Sequence, residues 1–550
     1  MKKILIFSVA CFFAIRLCAQ EKISKQDIFS TTKLFDITFS QQEVDSMFDG
    51  VQDNANNYAR LHKLHLDNNV PMSLWQSPVL PGMKFSGKQE PVDWNIPANV
   101  ALPADKNDLA FYSVVQLASL IKNKKITSVE LTKFFIDRLK KFGDTLQCII
   151  SLQENIALQQ AAQADKEIAA GKYKGVLHGI PYGLKDLFAV KGTKTTWGAA
   201  PFKDQVIDED AYIYTKLKDA GAVFVVKFTM GALAMGDKWY GGITKNPWNT
   251  KYGSSGSSAG SASATAAGLI PFAIGTETWG SIVSPSTTCG ATGLRPTFGS
   301  VSRTGAMTLS WSLDKIGPIT RSAEDAAIVF NAIHGADGKD LSAVNMPFNY
   351  KTNQNIKKLH IGYARNYFNN IKDTASNEWQ ALNVFRKQGI ELIPVDLPDS
   401  NEANCNIMHI IIDAECGAAF DDFTRSHLAD ELTWQTKEDW PNQFRTAQLT
   451  PAVAYINANR HRFLLMQKMQ EIMNKVDVVI CPTENSGNQD AVTNLTGNPV
   501  VCVPVGFNKK QLPMSITFIG KLYGEAAILE AAKWYQLHSE WANMHPPMFK

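Results

Sequence analysis

Apolar positions along the chain fall into two regimes. Short runs at 222–226, 476–480 (interrupted by Asp477) and 500–505 are otherwise apolar and mostly β-branched, and they predict strands buried on both faces. Between such runs the apolar residues take helical spacing. That alternation predicts an α/β chain in which a large mixed sheet is covered by helices. A T-x-x-E capping box at Thr127 and Glu130 predicts a helix starting after Thr127, because the threonine hydroxyl and the glutamate satisfy each other's backbone donors. Residues 41–66 read as a helix, and Pro71, Pro78, Pro81, Pro91 and Pro97 break the stretch that follows. Residues 401–475 read as mainly helical and rich in aromatics.

The first twenty residues stand apart. Lys2 and Lys3 precede an apolar run over 4–15, and Leu17, Cys18, Ala19 and Gln20 follow, the order of a secretory signal peptide. The run is shorter than the roughly twenty residues that span a bilayer as a helix. The expected organisation is therefore a signal peptide over 1–20, a helical extension and Pro-rich connector over 21–105, and one long α/β domain over 106–545. The expected location is periplasmic or extracellular, with no stable membrane insertion once the signal is removed.

Composition sharpens this picture. Of 550 residues, 45% are apolar and 19% charged, enough for a large core. The chain has 55 basic and 52 acidic side chains, and its excess of +3 is Lys2, Lys3 and Arg16. Without the first twenty residues the charges balance, no basic run stands out, and nucleic acid is not the expected partner. Six cysteines would remain: Cys148, Cys289, Cys405, Cys416, Cys481 and Cys502. They are too sparse for a disulfide scaffold, and a Cys405–Cys416 pair is disfavoured by its spacing on a helical segment. Neither an HExxH motif nor another convincing metal spacing occurs, so neither metal nor cofactor is expected.

Chemistry concentrates in a Gly/Ser-rich stretch over 252–293. A flexible linker is one reading, but the apolar run over 269–274 and the small-residue stretch over 261–268 suit packed structure better. A phosphate loop is another, yet neither Gly-Lys-Ser/Thr nor GxGxxG is present. Residues 256–260 match GxSxG, but that nucleophile elbow needs a preceding strand, and residues 246–255 read as a turn-rich loop.

At this point the sequence resembles the amidase signature family. The Gly/Ser-rich signature corresponds to residues 256–268, GTETWGSI carries Ser281, and GIPYGLKDLF over 179–188 carries Lys185. DAGAVFVVK, NPWN, GLRPTFG, SLDKIGP and NLTGNPVVCVPVGF extend the likeness over about 108–540. The resemblance implies an amide hydrolase with a Ser-Ser-Lys triad. Ser281 would be the nucleophile, Ser257 the bridging serine in a cis peptide, and Lys185 the base. It also implies an oxyanion hole from the backbone N–H groups of Thr278, Trp279, Gly280 and Ser281. The chemistry is coherent: a serine hydroxyl needs a base, and a lysine serves near neutrality only if desolvated or placed beside other cations.

Two departures from the family pattern bear on the loop. Trp279 stands where a glycine is usual, positioned to line or narrow an acyl pocket, and Val283 replaces the usual arginine two residues after the nucleophile. Glu277 thus loses its expected partner, with Arg295 and Arg303 as candidate replacements. Phe420, Phe423, Trp434 and Trp440, with the loop around Trp311, are candidates for an apolar substrate pocket, with plain core the preferred reading of each of the four aromatics. The expected activity is hydrolysis of a small-molecule amide to acid and amine. The alternatives are a glutaminase like the A subunit of the tRNA-dependent amidotransferase, or a non-catalytic binding protein that keeps the fold.

Overall fold

The computed structural model describes residues 23–35, 38–61, 68, 77–85, 87–353, 355–399, 406–484, 487–541 and 544–550. The expected signal segment over 1–20 lies outside them. The chain divides into two compact units, residues 1–66 and 67–550. In the first, helix Lys25–Leu34 opens on a Ser24 cap whose hydroxyl and Asp27 carboxylate satisfy each other's backbone donors. Helix Gln41–Leu61 follows, and the remainder of the helix expected over 41–66 lies outside the described residues.

The second unit is built on one sheet of eleven strands, confirming the mixed α/β expectation. In chain order the strands are β1 (Ile149–Leu152), β2 (Pro181–Lys185), β3 (Val223–Phe228), the ribbon pair β4 (Lys238–Trp239) and β5 (Gly242–Ile243), and β6 (Phe272–Glu277). Then come β7 (Thr292–Arg295), β8 (Lys315–Thr320), β9 (Ile361–Ala364), β10 (Ile393–Val395), β11 (Val478–Pro482), β12 (Val500–Phe507) and β13 (Pro513–Gly520). The large sheet runs β1-β3-β2-β6-β8-β7-β12-β13-β11-β9-β10. Its centre mixes directions: β2 pairs parallel with β3 and β6, whereas β6 pairs antiparallel with β8. The three apolar runs read from sequence lie in β3, β11 and β12. β3 and β11 are buried along their whole length, as strands covered on both faces must be.

Helix Ser128–Leu146 begins at a Thr127–Glu130 capping box with both reciprocal bonds made. The connector holds to the same unit through Gln89, whose carboxamide accepts from the Phe348 N–H at 2.8 Å and donates to its carbonyl at 3.0 Å. Residues 406–473 form helices, chiefly Ile407–Ala419 and Ala452–Met473. Cys148, Cys289, Cys416, Cys481 and Cys502 are buried free thiols, and Cys405 lies outside the described residues.

This topology positions the site. Parallel neighbours β2 and β6 end at the same edge, so Lys185, last in β2, and Glu277, last in β6, arrive close together. Helix Ala259–Ala266 packs against them, and its run of Ala, Gly and Ser lets its backbone approach the sheet. At Gly260 a Cβ would fall 2.4 Å from the Cys148 carbonyl, so no larger residue fits.

Candidate active site

Lys185 is fully buried. Its Nζ lies 2.7 Å from Ser257 Oγ, 2.9 Å from Thr276 Oγ1 and 3.4 Å from the Thr276 carbonyl. Burial pushes the amine down to about 7, against the opposing pull of Asp314 and Glu277, which favour the charged form. In the neutral amine the two Thr276 oxygens can take both N–H bonds, which leaves the lone pair facing the Ser257 hydroxyl. Motif reading does not single out Thr276. Its position in GTETWGSI is visible in the sequence, but the direction of its hydroxyl depends on strand pleat.

The Gly256–Ser257 peptide is cis. Gly256 packs directly on the Gly236 carbonyl, which would lie 1.8 Å from a Cβ at that position. The Gly231 N–H donates to the Ser257 carbonyl at 3.3 Å, and the Ser258 N–H to the Ser281 carbonyl at 3.1 Å. Backbone contacts thus bind the Gly/Ser segment to the Ser281 loop. Residues 246–258 contain no strand, so the GxSxG match is not a nucleophile elbow.

Ser281 is 7% exposed, and among the described residues its hydroxyl makes no hydrogen bond, to Ser257 or to any other group. The Lys185–Ser257 link is therefore formed in this resting structure and the Ser257–Ser281 link is not. Catalytic hydrogen bonds are often open without substrate and tighten in the complex. Nor, among the described residues, does any of the N–H groups of Thr278, Trp279, Gly280 and Ser281 donate to a protein acceptor. The loop's shape is held from behind. Glu277 Oε2 accepts the N–H groups of Ile282 and Val283 at 2.8 and 2.9 Å, and Ser284 N–H donates to the Gly280 carbonyl at 2.7 Å. Gly280 has φ +82°, a left-handed conformation that favours glycine. Thr278 Oγ1 donates to Asp314 at 2.6 Å, and Asp314 in turn accepts the Leu309 and Ser310 N–H groups.

The partner of Glu277 is Arg295, on β7. The two side chains are fully buried and 2.8 Å apart, and Asn494 donates to the same carboxylate at 2.9 Å. Burial alone would raise the Glu277 carboxyl, but Arg295 and Lys315 beside it outweigh that and hold it below the usual carboxylate range. Arg303, the other candidate, pairs with Asp340 at 3.0 Å instead. Val283 is free to be apolar because this charge is met from the sheet, and it belongs to a buried apolar cluster that also holds Leu313, Ile407 and Met408. Arg295→Leu is expected to destabilise the fold by about 3–5 kcal/mol by leaving a buried carboxylate unpaired, read as a lower urea midpoint.

Trp279 leans on that same apolar cluster, with its ring edge-on to His409 at 4.9 Å. The Trp311 loop hangs on Glu415, which accepts from Ser312 Oγ at 2.7 Å, and on Arg462, which donates to Ser312 Oγ at 2.9 Å. Phe420, Phe423 and Trp440 are buried in the main core, while Trp434 is half-buried. Among the described residues no group of three or more His, Cys, Asp or Glu side chains is placed to hold a metal, and no helix is long and apolar enough to cross a membrane.

Comparison with known proteins agrees with this architecture. The amidase family profile matches residues 130–529. The A subunit of glutamyl-tRNA(Gln) amidotransferase from Legionella pneumophila (strain Paris) is 33% identical over 482 residues, covering 79% of this chain and 99% of that protein. Its counterpart of the same name from Coxiella burnetii (strain RSA 493 / Nine Mile phase I) is 31% identical over 483 residues, again covering 79% and 99%. Among solved structures, native peptide amidase from Stenotrophomonas maltophilia superposes with TM-score 0.71 at 29% identity, covering 81% of this chain and 100% of that one. The profile and the near-full-length relatives establish that the chain belongs to the amidase signature family.

Proposed function

We propose that this protein is an exported, stand-alone hydrolase of carboxylic amides that works through a Ser281 acyl-enzyme, with Ser257 as relay and Lys185 as base. The observation that carries the reading is the buried Lys185 amine 2.7 Å from the Ser257 hydroxyl. Neutral Lys185 takes the Ser257 proton while Ser257 takes the proton of Ser281, whose Oγ attacks the amide carbonyl carbon. The free N–H groups of residues 278–281 receive the negative charge that develops on the carbonyl oxygen. Reversing the relay protonates the leaving amine as the C–N bond breaks. Water then enters by the same general-base route, and its attack on the acyl-enzyme releases the acid and restores Ser281.

A second reading, a glutaminase of the amidotransferase A-subunit kind, is favoured by the identity of 33% to the Legionella protein. The leader pattern of the first twenty residues and the helical unit ahead of the matched region support the stand-alone reading instead. Turnover of a panel of primary amides, anilides and glutamine separates them: ammonia or amine release from several non-glutamine amides is expected, and release from glutamine alone contradicts the proposal. A non-catalytic binding protein would turn over none of them and would leave Ser281 unlabelled by a fluorophosphonate.

A further inference from the structure

Helix Ala452–Met473 presents apolar residues on two opposite sides. At about 3.6 residues per turn, Ala458, Arg462, Leu465, Met469 and Met473 share one side, and all five are buried. That side is held against the rest of the unit: Arg462 donates to the Ser312 hydroxyl and to the Ser312 carbonyl, each at 2.9 Å. Val453, Ile456, Arg460 and Leu464 share the other side, with Phe463 next to them. Val453, Ile456, Phe463, Leu464 and, just ahead of the helix, Leu449 are 41–70% exposed. Apolar side chains scattered singly over a surface are ordinary, but a contiguous stripe of them marks a docking surface.

Charge decides what covers this stripe. Residues 441–470 include four arginines or lysines and neither an aspartate nor a glutamate. Arg462 is engaged on the buried side, and Arg445 pairs with Asp430. Arg460 stands exposed in the middle of the stripe, where it donates to Asn457 Oδ1 at 3.1 Å, and His461 and Lys468 are exposed along one flank. Binding at an anionic bilayer surface draws on both features, apolar side chains entering the acyl boundary and cations meeting the lipid phosphates. The long arginine stem lets Arg460 lie among apolar side chains while its guanidinium reaches headgroup level. A second copy of the chain fits less well. Pairing this face with itself sets Arg460 and its flanking cations against their own kind, with no acid in the segment to meet them. Because no helix among the described residues is long and apolar enough to cross a membrane, the contact is with the surface.

We propose that the exposed side of helix Ala452–Met473 docks peripherally on an anionic lipid surface. The inference goes beyond the amide-hydrolase reading and does not depend on it. Its test is sedimentation of the chain over 21–550, without the apolar run at 4–15, with two kinds of vesicle. One kind is phosphatidylcholine alone, and the other is three parts phosphatidylcholine to one part phosphatidylglycerol. The wild-type chain is expected to bind the mixed vesicles about tenfold or more tightly than the neutral ones. Replacing Ile456 and Leu464 together by serine is expected to weaken binding to both kinds about tenfold or more, through lost apolar contact. Arg460→Glu is expected to weaken binding to the mixed vesicles by a similar factor and to the neutral ones little. All three side chains are exposed, so the fold should survive each change, and thermal melts report on it. Absence of binding, equal affinity for the two kinds of vesicle, or binding that neither folded variant weakens overturns the proposal. So does self-association of the wild-type chain that the double variant abolishes while vesicles bind neither, which would assign this face to a second copy. Fluorophosphonate labelling of Ser281 bears on the hydrolase reading alone, so the two can fail separately.

Discussion

Replacing Ser281 with alanine is expected to lower kcat on amides by on the order of 10⁶-fold while leaving the fold intact, the size of loss seen when a hydrolase loses its serine nucleophile. The two halves of that expectation have separate physical grounds. The hydroxyl is the atom that forms the bond to the acyl carbon, so its removal ends covalent catalysis and leaves only what binding and the oxyanion donors contribute. The same hydroxyl makes no hydrogen bond among the described residues, so deleting it orphans no buried partner. Its backbone stays fixed by Ser258 and by the bonds Glu277 makes to the two residues that follow. Steady-state rates beside a thermal melt check both halves. A variant that unfolds tests nothing about chemistry, and a folded variant with wild-type kcat excludes Ser281 as nucleophile.

Lys185→Met is expected to cost on the order of 10⁴-fold in kcat/KM at pH 7, the upper range for losing a positioned general base. Methionine nearly matches the buried stem in volume, so packing is retained, and the loss is carried by the missing lone pair. Ser257 and Thr276 each lose a hydrogen-bond partner, a smaller penalty of about 1–3 kcal/mol in stability. The wild-type pH profile follows from the same side chain. With the amine pushed down to about 7 by burial, its neutral form dominates above that pH and its protonated form below. Only the neutral form can accept a proton, so kcat/KM is expected to fall about tenfold per pH unit below about 7.

Much of this was legible in the chain. Runs such as 222–226 are apolar because both faces of their strands are covered, and the Thr127 cap needed only a three-residue spacing. Lys185 and Ser257 were found through motifs; the parallel pairing of β2 and β6 sets Lys185 beside Thr276, and the segment leading into helix Ala259–Ala266 brings Ser257 to the same amine. What stayed hidden is what depends on contacts across space. Arg295 and Arg303 were equally good partners for Glu277 on paper, and only the antiparallel placement of β7 beside β8, itself paired with β6, decides for Arg295. Asp314 sat within a recognised motif, yet its bond to Thr278 requires the loop at 309–314 to fold back over the end of β6. The aromatics of the helical span show the same limit. Helical spacing predicts burial but cannot separate core from cavity wall. Phe420 and Phe423 are core, Trp440 is both buried and cavity-lining, and Trp434 is half-buried at the same cavity.

The central claim is that a lysine kept neutral by the fold activates Ser281 through an intervening hydroxyl. The most direct measurement is the rate at which a neutral fluorophosphonate modifies Ser281 between pH 5 and 10, followed by intact mass in the wild-type protein and in Lys185→Met. The account predicts a rate that climbs with pH through a single midpoint near 7 in the wild type, and a slow rate without that midpoint in the variant. A rate that is flat across this range, or a midpoint that survives the loss of Lys185, would contradict it.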